Sequence, residues 1–318
     1  MSTVLDTPST EVQADQQNDV GQRLQSETTA VRLRIRWPGI RKTLSEDQKQ
    51  QAASSFDADT KSLSASKKLL DTGHPAFRAA TAVRSQAVSY WKASTLPYIE
   101  PGIRLLHRNE VPAFDVQMTS IRGELADAVT ELQRHYGELV DQARLRLGNL
   151  FDVNDYSAEL DELFAIEWDY PSCEPPDYLR SLSPQLYEAE CDRMRERFSE
   201  AVHLAEQAFA DELSQLVSHL AERLAGENDG TPRVFRDSAV NNLLEFFERF
   251  QRLNIRSDEQ LEQLVTDARS VLGVMEPQML RDGQVLRQHV AGELIRVEES
   301  LESWLVNRPR RNILRRSR

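Results

Sequence analysis

The sequence predicts a mainly α fold: an elongated helical hairpin or bundle of long straight helices, with a small two-stranded β ribbon. Three observations carry that prediction. Apolar residues recur every eleven positions along two long segments. Glycine is scarce, with 12 in 318 residues, so few positions are free to take positive φ in tight turns. Only two short segments, 31–37 and 164–170, alternate strictly between apolar and polar residues.

The elements follow in chain order. Residues 1–29 are polar and aperiodic and read as a disordered acidic segment. Strand-like alternation over 31–37 ends in the turn signal Pro38-Gly39. Ser45 and Gln48 have capping-box spacing and start a short helix. A helix over about 60–71 is expected to stop at Gly73, and Pro75 opens another that runs to about Ser94. Pro97, Pro101 and Pro112 make the following stretch a connector with at most a short extended pair.

The first rod is expected over about 113–150. There Met118, Val129 and Val140 are eleven apart, as are Ile121, Leu132 and Ala143, and Leu125, Tyr136 and Leu147. A short helix at 156–163 leads into the second alternating segment, closed by Pro171. Ser183 caps and Pro184 opens the second rod, which ends at Gly226. Its repeats are Tyr187, Phe198, Phe209 and Leu220; Cys191, Val202, Leu213 and Leu224; and Met194, Ala205 and Leu216. Eleven residues in three turns is about 3.67 per turn, the period of a nearly straight helix. At about 1.5 Å per residue each rod is roughly 50 Å long. After a loop at 227–232, Asp237 caps a helix with Leu243, Leu244, Phe246, Phe247 and Phe250 on its apolar side. Residues 257–260 form a second capping box, and a last long helix spans about 277–306. No strong boundary interrupts 30–306, which reads as a single elongated helical domain, followed by a disordered Arg-rich tail at 307–318.

The ribbon is expected from charge. Val31, Leu33, Ile35 and Trp37 share one face of the first strand, and Arg32, Arg34 and Arg36 the other. In the second strand Phe164, Ile166, Trp168 and Tyr170 oppose Glu167 and Asp169. The polar faces are complementary, which selects a cross-strand partner. The alternatives are that both segments are extended but unpaired, or that the three arginines form a free edge for another molecule.

Composition bounds the function. No apolar run of about 18 residues exists and the N-terminus lacks an apolar leader core, so a cytoplasmic protein without a membrane span is expected. Cys173 and Cys191 are too few for a disulfide framework. They lack CxxC spacing, and the six histidines show no ligand spacing. Glu200 and His203 have the Glu-x-x-His spacing of di-iron bundles, but the second such motif that those sites need is missing. No phosphate-binding loop or nucleophile elbow occurs. No catalytic residue, metal or cofactor is therefore assigned.

The chain carries −12 overall, and its last twelve residues hold six arginines and no acid, so −18 falls on the remainder. Arg308, Arg310, Arg311, Arg315, Arg316 and Arg318 are the candidate contacts to an anionic partner, either nucleic acid or an acidic protein surface. A solvated tail with no partner is the alternative.

Two stretches, 31–42 and 234–261, carry a resemblance. The first is Val31-Arg-Leu-Arg-Ile-Arg-Trp-Pro-Gly-Ile-Arg-Lys42; the second runs from Val234-Phe-Arg-Asp through Leu253-Asn-Ile-Arg to Leu261. They resemble a family of largely helical bacterial and phage proteins defined as a domain of unknown function. Its members are often encoded beside MoxR-type AAA+ ATPases and von Willebrand A-domain proteins. The resemblance covers most of 30–306. It implies a non-catalytic component of a bacterial or phage ATPase-associated system and transfers no functional residues. The functional expectation is a protein–protein interaction scaffold or adaptor, with an AAA+ ATPase as one implied partner. A nucleic-acid-associated protein anchored by its tail and an enzyme with an unrecognised site are the alternatives.

Overall fold

The structure, a computed structural model, describes residues 10–157, 159–225, 237–273 and 277–307. Its helices are α1 (Thr10–Glu27), α2 (Glu46–Ser54), α3 (Pro75–Ala93), α4 (Val111–Leu147), α5 (Tyr178–Leu182), α6 (Pro184–Ala225), α7 (Asp237–Leu253), α8 (Glu259–Leu272), α9 (Pro277–Asp282) and α10 (Gln284–Asn307). Its strands are β1 (Thr28–Arg36), β2 (Arg41–Thr43), β3 (Ser66–Lys68), β4 (Leu96–Pro97), β5 (Ile103–His107) and β6 (Ala165–Asp169). The mainly helical class holds. The described residues fall into two compact units, one from the stretches 1–30, 94–108 and 172–318, the other from 31–93 and 109–171. The chain crosses between them repeatedly, so no composition shift marks a boundary.

In the second unit α4, 37 residues and about 56 Å long, packs on α3. Tyr90 stacks on Phe114 at 5.6 Å, and His74 meets His135 at 5.1 Å, so the two helices run antiparallel. Ala76, Ala80 and Ala87 are buried on α3 and let the helices approach closely. Seven of the nine stripe residues of α4 are buried; Val140 and Leu147 are half-buried, and Leu139 takes the core position instead.

The expected pairing of the two alternating segments forms. Arg32 lies opposite Asp169, Arg34 opposite Glu167 and Ile35 opposite Ile166, antiparallel. The ion pairs run partly on the diagonal. Asp169 takes two hydrogen bonds from Arg32 at 3.0 and 2.5 Å and a third from Arg34 at 3.4 Å, while Arg36 reaches Glu167 at 3.7 Å. The guanidinium of Arg32 holds the Asp169 carboxyl below its usual range. The three arginines are thus not a free edge. Helices cover the apolar face, with Arg84 of α3 over Trp37 and Arg122 of α4 over Trp168.

The ribbon is larger than expected. The strand order is β4-β5-β1-β6, a four-stranded sheet, because the proline-rich connector contributes the antiparallel pair β4 and β5. A separate two-stranded sheet joins β2 to β3, where a helix over 60–71 was expected. Only a 3-10 turn at Thr60–Ser62 forms there. Ser62, Ser64 and Ser66 are weak helix formers. Lys67 is fixed by an ion pair to Asp155.

In the first unit α6, 42 residues and about 63 Å long, is flanked by α1 and α10 and joined by α7 and α8. Phe209 of α6 meets Phe246 and Phe250 of α7 edge-on, at 6.2 and 5.0 Å. The segment read as disordered over 1–29 contains the helix α1, although residues 1–9 lie outside the described ones. Its half-buried Val20 and buried Leu24, one turn apart, dock on the core of α6. Gly21 makes that approach possible, since a Cβ there would sit 3.2 Å from the backbone nitrogen of Ser199.

The remaining helix ends follow local chemistry. The capping box at Ser45 and Gln48 is present. Asp258, rather than Ser257, caps α8 by accepting from the backbone N–H of Leu261 at 2.9 Å. The last long helix is split into α9 and α10 at Gly283. The expected helix at 156–163 is instead irregular, with 3-10 turns at Val153–Asp155 and Asp161–Leu163.

Candidate functional site

The six tail arginines, the loop at 227–232 and the expected end of the second rod at Gly226 lie outside the described residues. Among the described residues no group of three or more His, Cys, Asp and Glu side chains could hold a metal ion. His203 pairs through Nδ1 with Glu206, one turn downstream, at 3.4 Å, rather than forming a site with Glu200. Cys173 and Cys191 are free thiols, both half-buried. Burial pushes the Cys173 thiol up, outweighing the hydrogen bond with Tyr98 that favours the thiolate, so it is a poor nucleophile. No helix among the described residues is long and apolar enough to cross a membrane.

What stands out is the start of the second rod. From Phe198 onward most stripe residues of α6 are buried: Phe198, Val202, Ala205, Phe209, Leu213, Leu220 and Leu224. Upstream, the same pattern continues through Tyr187, Cys191 and Met194, but these are only half-buried. The short helix before the rod, α5, adds two apolar residues at i and i+4 spacing. Tyr178 is 62% exposed and Leu182 74%, and Leu186 in the first turn of α6 is 57% exposed. Local chemistry fixes this arrangement. Ser183 is extended and accepts from the backbone N–H of Leu186 at 3.4 Å, Pro184 starts the helix, and Arg180 stacks over Tyr187 at 4.8 Å. On the polar side Arg193 pairs with Glu190 and Arg195 with Asp192. The result is an apolar strip with a charged rim.

No family model, curated protein or solved structure matches the chain.

Sequence reading found the half-buried part, Tyr187, Cys191 and Met194, as stripe positions. Tyr178 and Leu182 fall between Pro171 and Ser183, where the sequence reading assigns no element. Their four-residue spacing directly before the Ser183-Pro184 start was the available signal. Burying one such side chain contributes about 1.5–3 kcal/mol. Three of them barely offset an association cost on the order of 4–15 kcal/mol, so a stable partner must also cover half-buried Leu179, Tyr187, Cys191 and Met194.

Proposed function

We propose that the chain is a non-catalytic interaction scaffold that docks an apolar helix of a partner protein on the start of α6. The observation that supports this is that exposed Tyr178, Leu182 and Leu186 come directly before or beside the half-buried start of the rod's stripe, Tyr187 and Cys191. The family resemblance supports a place in a bacterial or phage ATPase-associated system in the cytoplasm, with an AAA+ ATPase as the partner to test first. The reading needs one uncovered rod end and does not depend on a hairpin between the two rods.

The test is capture from the native host with the full chain and with Leu182→Glu/Leu186→Glu, each followed by mass spectrometry. The variant should keep the helical signal of the parent, because both side chains are exposed, and lose the captured partner. Retention of the same partner by the variant sinks the proposal. A second reading, nucleic-acid association through the six tail arginines, is favoured by their charge alone. It predicts binding that weakens steeply between about 50 and 200 mM salt.

A further inference from the structure

The second unit carries a groove of about 720 Å³ between the turn after β1 and one side of α3. Trp37, Pro38, Gly39 and Ile40 form one wall, and Arg78, Thr81, Arg84 and Ser85 the other. Three features decide what it fits. Arg78 and Arg84 are both exposed, and neither has a carboxylate partner among the described residues. The arginines of β1 are paired with Glu167 and Asp169, whereas Arg78 and Arg84 keep their charge on the walls of the groove.

The second feature is an aromatic wall. Trp37 is half-buried, wedged edge-on against Phe164 at 4.6 Å and capped by the Arg84 guanidinium at 5.2 Å. It is a fixed platform for an apolar side chain. The third is hydrogen-bond polarity. Thr81 donates its hydroxyl to the carbonyl of Phe77 at 2.9 Å and Ser85 to that of Thr81 at 3.0 Å. With those protons engaged, both oxygens face a ligand as acceptors. Anions can be held only by the guanidiniums, while N–H donors can be held by Thr81 and Ser85.

A ligand with alternating anionic, apolar and N–H groups is an extended acidic peptide. We infer that this groove binds a segment of a partner protein carrying Asp or Glu, with a carboxylate on Arg78, an apolar side chain on Trp37, and backbone N–H groups on Thr81 and Ser85. Nucleic acid fits less well. Residues 31–93 hold twelve Lys and Arg against five Asp and Glu, but 109–171 of the same unit hold four against fourteen. With sixteen Lys and Arg against nineteen Asp and Glu over the two stretches, such a unit is net negative, whereas phosphate-driven binding needs many cationic contacts. The site is separate from the strip on α6 and does not rest on it.

The experiment uses the full chain and a fluorescein-labelled (Asp-Ala)5 peptide, followed by anisotropy at 50 and 200 mM NaCl. An (Asn-Ala)5 peptide and a 20-nucleotide DNA strand are the comparison probes. The acidic peptide should bind more tightly than both. Arg78→Gln should weaken it about tenfold, the loss of one charge-assisted pair, with unchanged circular dichroism. Replacing the six tail arginines by Gln should leave most of the binding in place. The inference is overturned if (Asp-Ala)5 fails to bind, if (Asn-Ala)5 binds as well, or if the DNA strand binds more tightly and is weakened by Arg78→Gln. It is equally overturned if the tail variant loses binding that Arg78→Gln retains.

Discussion

Asp155 is the side chain whose removal should cost the second unit most. Lys42 of β2 and Lys67 of β3 stand directly opposite in the ladder, an arrangement that like charges destabilise. Asp155 resolves it by pairing with both: it meets Lys67 at 2.6 Å and also binds Lys42. Its carboxyl is 1% exposed and the Lys67 side chain 5%, so neither is hydrated. Lys67 also donates to the carbonyl of Leu150 at 2.6 Å, and the Tyr156 hydroxyl donates to that of Leu69 at 3.0 Å, which ties the 3-10 turn to β3. Asp155→Asn keeps the shape and removes the charge, leaving a buried ammonium with neutral acceptors and no counter-charge. Breaking a buried pair from one side costs about 3–5 kcal/mol, and the thin cover here argues for the lower end, about 3.

The assay is urea denaturation followed by circular dichroism, with hydrogen exchange of peptides spanning 40–70 and 146–157 to localise the loss. The double variant Asp155→Asn/Lys67→Met supplies the control. It removes the stranded charge, so it should be more stable than Asp155→Asn alone, a non-additive result. A cost under about 1 kcal/mol for the single variant, or a double variant no better than the single, refutes the reasoning.

Three further outcomes are expected. Burial raises the Asp155 carboxyl, but hydrogen bonds and charge from Lys42 and Lys67 outweigh it and hold the group below its usual range, near about 4. Its contribution is therefore complete above that value and lost as pH falls through the lower folded-state value, so an acid titration of stability should be flatter in Asp155→Asn than in the parent. In the ribbon, charge reversal at Arg32 and Asp169 should show stronger coupling in a double-mutant thermal cycle than reversal at Arg34 and Glu167, because Arg34 reaches Asp169 rather than its opposite residue; equal coupling would contradict the diagonal pairing. Gly21→Val should loosen α1 from α6, seen as faster exchange of the amides in 19–27, whereas Gly123→Ala, where a Cβ meets nothing within 4 Å, should not.

Much of the fold was legible because it is local. The capping box at Ser45, the Pro75 and Pro184 starts and the alternation of β1 and β6 are each written within a few residues. The charge complementarity that pairs β1 with β6 is long-range, yet readable, since only two segments in the chain alternate. What escaped depends on contacts that pattern does not encode. β3 is a strand because Asp155, far along the chain, neutralises Lys67; its own serines and lysines say only that a helix is weak. α1 is a helix because Gly21 admits Ser199, and its sequence has too few apolar residues to show an amphipathic face. The two-unit division is illegible for a different reason. The chain enters each unit more than once, so the boundary is not a place in the sequence.

The candidate site shows the same limit from the other side. An eleven-residue stripe states which residues will be covered, not what will cover them. Tyr187, Cys191 and Met194 obey the same rule as Phe198, Val202 and Ala205, yet the first three are half-covered and the last three buried. Only the neighbouring residues separate the cases. Beside the buried part the chain supplies Val20 and Leu24 from α1, whereas beside the open part it supplies Tyr178 and Leu182, which face outward themselves. A segment that only needed a solvated end would place polar residues there. Extending the apolar surface instead enlarges the area open to burial, and on the proposed reading the group that would cover it is a helix with an apolar face at matching three- and four-residue spacing.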